Sequence, residues 1–178
     1  MLEARSEVMR VKIVVISDTH MPRMNKKLPD RLIAELADAD AILHAGDWTS
    51  AEVYLMLSAY APTYGVSGNN DGLELRKKFG LKKLLKLGGC MIGLIHGHGT
   101  NKSIATETRA VEAFRGQRLD MIVYGHSHTP VLKRIGKTLV LNPGSPTDKR
   151  RQPQYSFAIV RIDGGKLDAR LVAYDDKS

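Results

Sequence analysis

The chain has one cysteine in 178 residues, so no disulfide can form within it. That residue, Cys90, lies in the apolar run Cys90-Met91-Ile92-Gly93-Leu94-Ile95. A small buried hydrophobe is expected there, ahead of a reactive or metal-bound thiol. The lack of disulfides fits a reducing compartment, and the cytoplasm is the expected location. Aromatic residues make up only 6% of the chain, and no pair of them resembles a platform for stacking nucleic-acid bases. No apolar stretch reaches the ~18 residues that a membrane span needs. The first ten residues carry Glu3 and Glu7 beside Arg5 and Arg10 with no apolar centre, so they do not read as a signal peptide. They are expected to be a disordered extension, residues 1–10, ahead of one domain over residues 11–178. Linker-like composition, low complexity and internal repeats are also missing.

What is present is an ordinary globular composition, 43% hydrophobic, in a chain long enough to bury a core without staples. The formal charge of +8 suits an anionic substrate or partner. The basic residues are nonetheless spread over Lys26-Lys27, Arg76-Lys77-Lys78, Lys82-Lys83 and Lys149-Arg150-Arg151, which favours solvated surface over a nucleic-acid stripe.

Val11 to Ile16 is a β-branched run that reads as a buried strand. A helix is expected around Leu28, Leu32, Ile33 and Leu36, a strand at Ala41–His44, a helix at Ala51–Tyr60 and a short strand at Tyr64–Ser67. This alternation of strand and helix implies a parallel sheet. Residues 73–83 are expected to be partly helical. Leu84–Leu87 and Cys90–Ile95 flank Gly88-Gly89, a hairpin signal. A helix from about Ser103 to Phe114 and a strand at Met121–Tyr124 follow, and two hairpins close the chain, turning at Gly136-Lys137 and Asp163-Gly164-Gly165. The simplest assembly is two sheets face to face with helices outside.

Six short motifs punctuate these elements: Asp18-Thr19-His20, Gly46-Asp47, Gly68-Asn69-Asn70-Asp71, His96-Gly97-His98, Gly125-His126-Ser127-His128 and Asn142-Pro143-Gly144-Ser145. Each of the first five follows a strand, and ligands of open α/β sheets bind outside the carboxyl ends of strands. In Asp18-Thr19-His20 and in His126-Ser127-His128 the i, i+2 spacing sends both side chains to one face of an extended chain. Gly46 allows close approach behind Asp47, whose two oxygens can bridge two cations; alone, Asp47 would read as a turn or cap residue, with Thr49 and Ser50 available as caps. Asn69 offers a neutral amide oxygen, and Asp71 is expected to orient a ligand or a backbone amide. The loop around Gly97 and Gly99 matches neither the Walker nor the dinucleotide glycine pattern. Two aspartates, an asparagine and up to five imidazoles suit two adjacent divalent metals, an arrangement adapted to displacement at phosphorus. His44, inside a strand, reads as an ordinary core histidine. The last motif reads as a turn that seats the His-Ser-His loop.

Taken in order, these motifs resemble the calcineurin-like metallophosphoesterase superfamily, and in particular its compact bacterial and archaeal phosphodiesterases. The resemblance implies an α/β fold, a four-layer αββα sandwich of two mixed sheets flanked by helices. It implies one metal held by Asp18, His20 and His128, a second held by Asn69, His96 and His126, and Asp47 bridging both. The metals implied are divalent, Mn2+ first, with Ni2+, Fe2+ or Zn2+ as alternatives. The expected activity is hydrolysis of a small phosphodiester by a metal-activated hydroxide, with a phosphomonoesterase or a nuclease as alternatives; the oligomeric state is left open, though compact relatives often self-associate. Many relatives carry a histidine where this chain has Asn70, which can hydrogen-bond phosphate but cannot deliver a proton at neutral pH; a preference for good leaving groups, or proton delivery by another group such as His98, is expected. The retromer scaffold subunit resembles the same fold without a sound metal site, which makes a non-catalytic scaffold the other alternative, but Asp47 and Asn69 stand here as in the enzymes. Trp48 is expected to pack at the edge of the site, ahead of stacking on a substrate.

Overall fold

The computed structural model describes residues 9–178. Residues 1–8 of the expected extension lie outside the described residues, and Arg10, also assigned to it, already opens the first strand. In chain order the elements are β1 (Arg10–Ile16), α1 (Asp30–Leu36), β2 (Ala41–His44), α2 (Ala51–Ser58), β3 (Thr63–Gly65), α3 (Leu73–Phe79), β4 (Lys82–Leu87), β5 (Cys90–Ile95), α4 (Thr106–Glu112), β6 (Met121–Val123), β7 (Val131–Ile135), β8 (Thr138–Asn142), β9 (Tyr155–Asp163) and β10 (Lys166–Tyr174).

The strands form two five-stranded sheets, ordered β10-β9-β1-β2-β3 and β4-β5-β6-β8-β7. Both are mixed: β1, β2 and β3 run parallel while β9 lies antiparallel to β1, and β5, β6 and β8 run parallel between antiparallel edges. The apolar run of β1 explains its central place. Ile13 and Val15 point between the sheets, where they meet Leu43, Ile92, Leu94, Val123 and Leu141. Val14 and Ile16 point the other way and pack on Leu32, Leu36, Val53 and Leu57 from α1 and α2. A strand buried on both faces has no polar side, and so no alternation in its sequence. In the second sheet, Met121 and Val123 face inward, while Ile122 and Tyr124 carry Ala110 and Phe114 at the outer face. The layers are therefore α, β, β, α, as the resemblance implies.

The hairpins follow their glycines. Leu87 pairs with Cys90 across Gly88 and Gly89, at φ 56° and 84°. A two-residue hairpin turn of this kind needs positive φ at both central positions. Four elements are shorter than the sequence predicts: α2 ends at Ser58 and β6 at Val123, and β3 and α4 are cut back by local contacts. The third strand ends at Gly65, because beyond it Ser67 turns its amide to the carbonyl of Gly80. Helix α4 starts only at Thr106, because the Asn101 side chain accepts from the amide of Ser103, a local turn that competes with helix.

Candidate metal centre

All seven expected ligands lie at one end of the sandwich. The loop after β1 brings Asp18 and His20, the loop after β2 brings Asp47 and the loop after β3 brings Asn69, while His96 follows β5 and His126 and His128 follow β6. Five of them adopt left-handed backbone: Asp18 (φ 56°), His20 (46°), Asp47 (58°), His126 (67°) and His128 (57°). Only two other described non-glycine residues do so, Thr49 and Arg150. Such conformations cost on the order of 1–3 kcal/mol each and persist where the surroundings fix them, commonly at functional sites.

Here the fixing contacts are visible. Asp18 is fully buried, and its Oδ2 accepts from the Ser17 hydroxyl (2.7 Å) and from the amide of His126 (2.9 Å). Asp47 accepts the Asn70 amide at Oδ1 (2.8 Å) and the Asn70 side chain at Oδ2 (2.7 Å). Asp71 is buried and takes the amides of Asp47 (3.0 Å), Gly68 (2.7 Å) and Thr49 (2.8 Å), so it shapes the backbone that presents Asp47. The closing motif seats the last loop from its side chain: Asn142 donates to the Gly125 carbonyl (3.1 Å) and to the Ser127 hydroxyl (3.0 Å).

The donor atoms converge, and three of them have no hydrogen-bond partner of their own. Nδ1 of His96 lies 2.7 Å from the Ala45 carbonyl, and Nδ1 of His128 lies 2.5 Å from the Asp148 carbonyl. A carbonyl only accepts, so both rings carry hydrogen on Nδ1, and the neutral rings turn the Nε2 lone pair inward. Nε2 of His96 then faces Oδ1 of Asn69 at 3.1 Å and Oδ2 of Asp47 at 3.4 Å. Nε2 of His128 faces Oδ1 of Asp18 at 3.4 Å, and Nε2 of His20 faces Oδ2 of Asp47 at 3.4 Å. Asp18 Oδ1, His20 Nε2 and His128 Nε2 are buried with no hydrogen-bond partner. Acceptors gathered in this way require a positive charge among them. Two trios place one ligand atom from each residue within 4.8 Å of the others: Asp18, His20 and His128, and Asp18, Asp47 and His96. The donor set therefore fits divalent metal. His126 stands further out, its ring centroid 5.1 Å from that of His96, and Asp18 reaches into both trios.

The electrostatics agree. Burial works against a charge on the carboxylate of Asp18, yet His20, His96 and His128 outweigh it and its pKa is lowered. Burial also opposes the charge on Asp47, but His96 and the Asn70 hydrogen bonds hold it well below the usual carboxylate range. At His96 burial would lower the pKa, but the carboxylates of Asp18 and Asp47 raise it. The two carboxylates thus draw positive charge into the spot where a metal would sit. Burial and the His96 ring lower His126 to about 4, so its lone pair is available at neutral pH.

His98 is half-buried, with an unpartnered Nδ1 and its ring 5.4 Å from His96. Asn70 is exposed at the same mouth. Trp48 departs from both roles considered for it. It is fully buried between His44 (3.7 Å) and Phe79 (4.5 Å) and donates to the Val66 carbonyl (2.8 Å), so it belongs to the core under α2 and α3 and cannot stack on a substrate. Residues without a sequence signal also serve the centre. Arg109 donates from Nε to the Gly97 carbonyl (2.8 Å) and from Nη1 to the carbonyls of Asn101 (3.0 Å) and Ile104, pinning the loop that carries His96 and His98. A cleft of about 830 Å³ lies at the opposite end of the first sheet, under the β9–β10 turn, and shares no residue with the centre.

His44 is the core histidine the sequence suggests. Its Nδ1 accepts from the Gly46 amide (3.1 Å) and its Nε2 meets the Thr19 hydroxyl (3.1 Å). Burial lowers its pKa from 6.5 to about 3. The unfolded chain takes up a proton near pH 6.5 that the folded chain refuses, so this contribution is complete above that pH and is lost as the pH falls toward 3. The slope it adds is at most about 1.4 kcal/mol per pH unit. Urea unfolding of metal-free protein between pH 7 and 4 should show a shallower pH slope for His44→Asn, which keeps an acceptor for Gly46. Equal slopes would mean that His44 is protonated in the fold.

A two-sheet sandwich with a buried carboxylate and imidazole cluster at its strand ends defines a metal-centre protein, and comparison with known proteins makes this more specific. The Calcineurin-like phosphoesterase superfamily domain matches residues 11–165, and the chain belongs to that superfamily. It is 35% identical to a probable metallophosphoesterase of Methanothermobacter thermautotrophicus, over 90% of this chain and 91% of the relative. A phosphodiesterase of Methanocaldococcus jannaschii is 26% identical over 75% of this chain and 83% of its own. Among solved structures, Vacuolar Protein Sorting 29 from Cryptosporidium parvum superposes with a TM-score of 0.74 at 22% identity, covering 94% of this chain and 99% of that one.

Proposed function

We infer that this chain is a phosphodiesterase that works with two divalent metals, manganese first among them. The observation that carries the reading is the position of Asp47: its Oδ2 lies 3.4 Å from Nε2 of both His20 and His96, between the two donor groups. Asp18, His20 and His128 would hold one metal, Asn69, His96 and His126 the other, with Asp47 shared. When bound, such a pair supplies a water acidic enough to ionise near pH 7 and positive charge for phosphoryl oxygens. The chain's own residues do the rest. Ser17 and Asn70 fix the carboxylates of Asp18 and Asp47 through hydrogen bonds and Asp71 holds the Asp47 backbone amide, so the donors need no rearrangement. Asn70 commits one amide hydrogen to Asp47 and keeps a second for a phosphoryl oxygen. Burial, followed by the His96 ring, keeps His98 neutral at pH 7, with one N–H to offer to a leaving oxygen. With no strong acid at this mouth, substrates with good leaving groups are favoured. The Vacuolar Protein Sorting 29 proteins share the sandwich, so the reading rests on the donor set and not on the fold.

The test is hydrolysis of bis-p-nitrophenyl phosphate by metal-stripped protein, with and without manganese, beside p-nitrophenyl phosphate. Metal-dependent turnover that prefers the diester is expected. Preference for the monoester would make the chain a phosphomonoesterase. Failure with every divalent metal tried would leave an interaction module as the better reading.

A further inference from the structure

The run from α3 through β4 is the most basic part of the molecule, with Arg76, Lys77, Lys78, Lys82, Lys83 and Lys86 against the single acid Glu74. Most of these charges have local occupations. Lys78 lies 4.3 Å over the ring of Tyr54, Lys83 lies 5.7 Å over Phe79, and Lys82 donates to the Ala113 carbonyl at 2.7 Å. Lysines along the free edge of β4 also guard that edge against pairing with another chain. Arg76 differs. Its helix starts directly after the Gly68–Asp71 loop, and its guanidinium reaches back to donate from Nη2 to the carbonyl of Asn69 at 3.2 Å. It is exposed, and among the described residues no carboxylate pairs with it. The other arginine near this mouth, Arg109, has its guanidinium committed to the Gly97, Asn101 and Ile104 carbonyls.

We propose that Arg76 is the phosphate-binding residue of this centre, a cation that grips the non-bridging oxygens of the substrate phosphate and, more tightly, the product. This rests on the phosphodiesterase reading above. Three facts meet at Arg76. Asn69, whose carbonyl anchors it, turns its side-chain oxygen toward His96 in the donor cluster, so the guanidinium stands one residue from the centre. One neutral carbonyl uses one of five N–H donors, leaving a planar fork of the shape that phosphate accepts in pairs. Neighbouring Asn70 is uncharged, and among the described residues Arg76 is the cation hydrogen-bonded to this loop. A diester is a monoanion and the monoester product approaches a dianion, so a fixed cation here holds product more strongly than substrate. Product inhibition is therefore built into the same contact.

The experiment uses manganese-loaded protein, Arg76→Ala, Arg76→Gln and Arg76→Lys. Binding of inorganic phosphate is measured by calorimetry, and KM and kcat are measured for bis-p-nitrophenyl phosphate. In both neutral variants the phosphate Kd should rise about 10- to 100-fold, the scale of a charge-assisted pair of hydrogen bonds. KM should rise more than kcat falls, Arg76→Lys should recover part of the loss, and millimolar guanidinium should restore Arg76→Ala. A merely structural arginine would not be rescued by free guanidinium or by lysine. Unchanged phosphate affinity and KM in folded Arg76→Gln would overturn the proposal while diester turnover in the parent kept the phosphodiesterase reading. Phosphate binding that depends on Arg76 in a protein without turnover would sustain the anion site and overturn the reading. A parent protein that neither turns over nor binds phosphate would overturn both.

Discussion

Asp47→Asn should cut metal-dependent diester turnover by at least about a hundredfold while leaving the protein folded. Changes to residues that merely support a metal ligand commonly cost about 10- to 100-fold, and loss of a ligand's own charge should exceed that. The substitution is nearly isosteric, and its surroundings can accommodate it. The new amide oxygen can accept the Asn70 backbone N–H that now binds Oδ1, and a flip of the Asn70 side chain can take up the new N–H2 where Oδ2 stands. Removing a buried negative charge also eases its desolvation in metal-free protein. The result expected is an intact thermal transition, a lower metal content at equal free manganese and little turnover. Full turnover at full metal load would show that Asp47 does not bridge.

Gly68→Ala should destabilise the protein by about 3 kcal/mol or more, at the upper end for an overpacked site. A Cβ at Gly68 would lie 2.1 Å from Oδ1 of Asp47 and 2.5 Å from its backbone nitrogen. Backbone cannot swing aside as a long side chain would, so the β2 and β3 loops must part and Asp47 must leave its place. For a chain of this size such a loss lowers Tm by roughly 6–12 °C. Gly72→Ala is the control, four residues on at φ −72°, where an added Cβ would meet nothing within 4 Å, and it should move Tm little. Equal melting of the two variants would show that the Gly68 contact is soft. Metal affinity should fall only in the first.

Much of this molecule is legible in its sequence, for identifiable reasons. The β-branched run of β1 and the glycine pairs at 88–89 and 164–165 express local backbone preferences, so strands and hairpins can be read directly. The motifs that gather at the candidate centre are legible because their residue types carry the chemistry and each sits just past a strand. The remainder depends on contacts between distant residues. The carbonyls of Ala45 and Asp148, which set the tautomers of His96 and His128, have no side-chain identity to detect. The hold of Asn70 on Asp47 links residues 23 apart. Trp48 looks like a site residue because it follows Asp47, but the left-handed backbone at Asp47 and Thr49 turns the chain there and its ring lies in the core. The charges of α3 and β4 look alike in one dimension, and only the fold shows that Arg76 alone turns toward the ligand loop.

Asp18 has a second consequence, as a seam in the architecture. Its carboxylate takes the amide of His126, 108 residues away, and its carbonyl takes the Ser145 hydroxyl, 127 residues away. Thr147 closes the same junction on the carbonyl of Thr19. Asp18 belongs to the first sheet's loops and His126 to the second's, so the two halves of the sandwich are laced together at this end by polar bonds as well as by their shared apolar core. An ion held by Asp18 and His128 would act as a reversible cross-link closing a very long chain loop, the kind of closure that restricts an unfolded chain most. Metal supply would then regulate how long the protein survives as well as how fast it works.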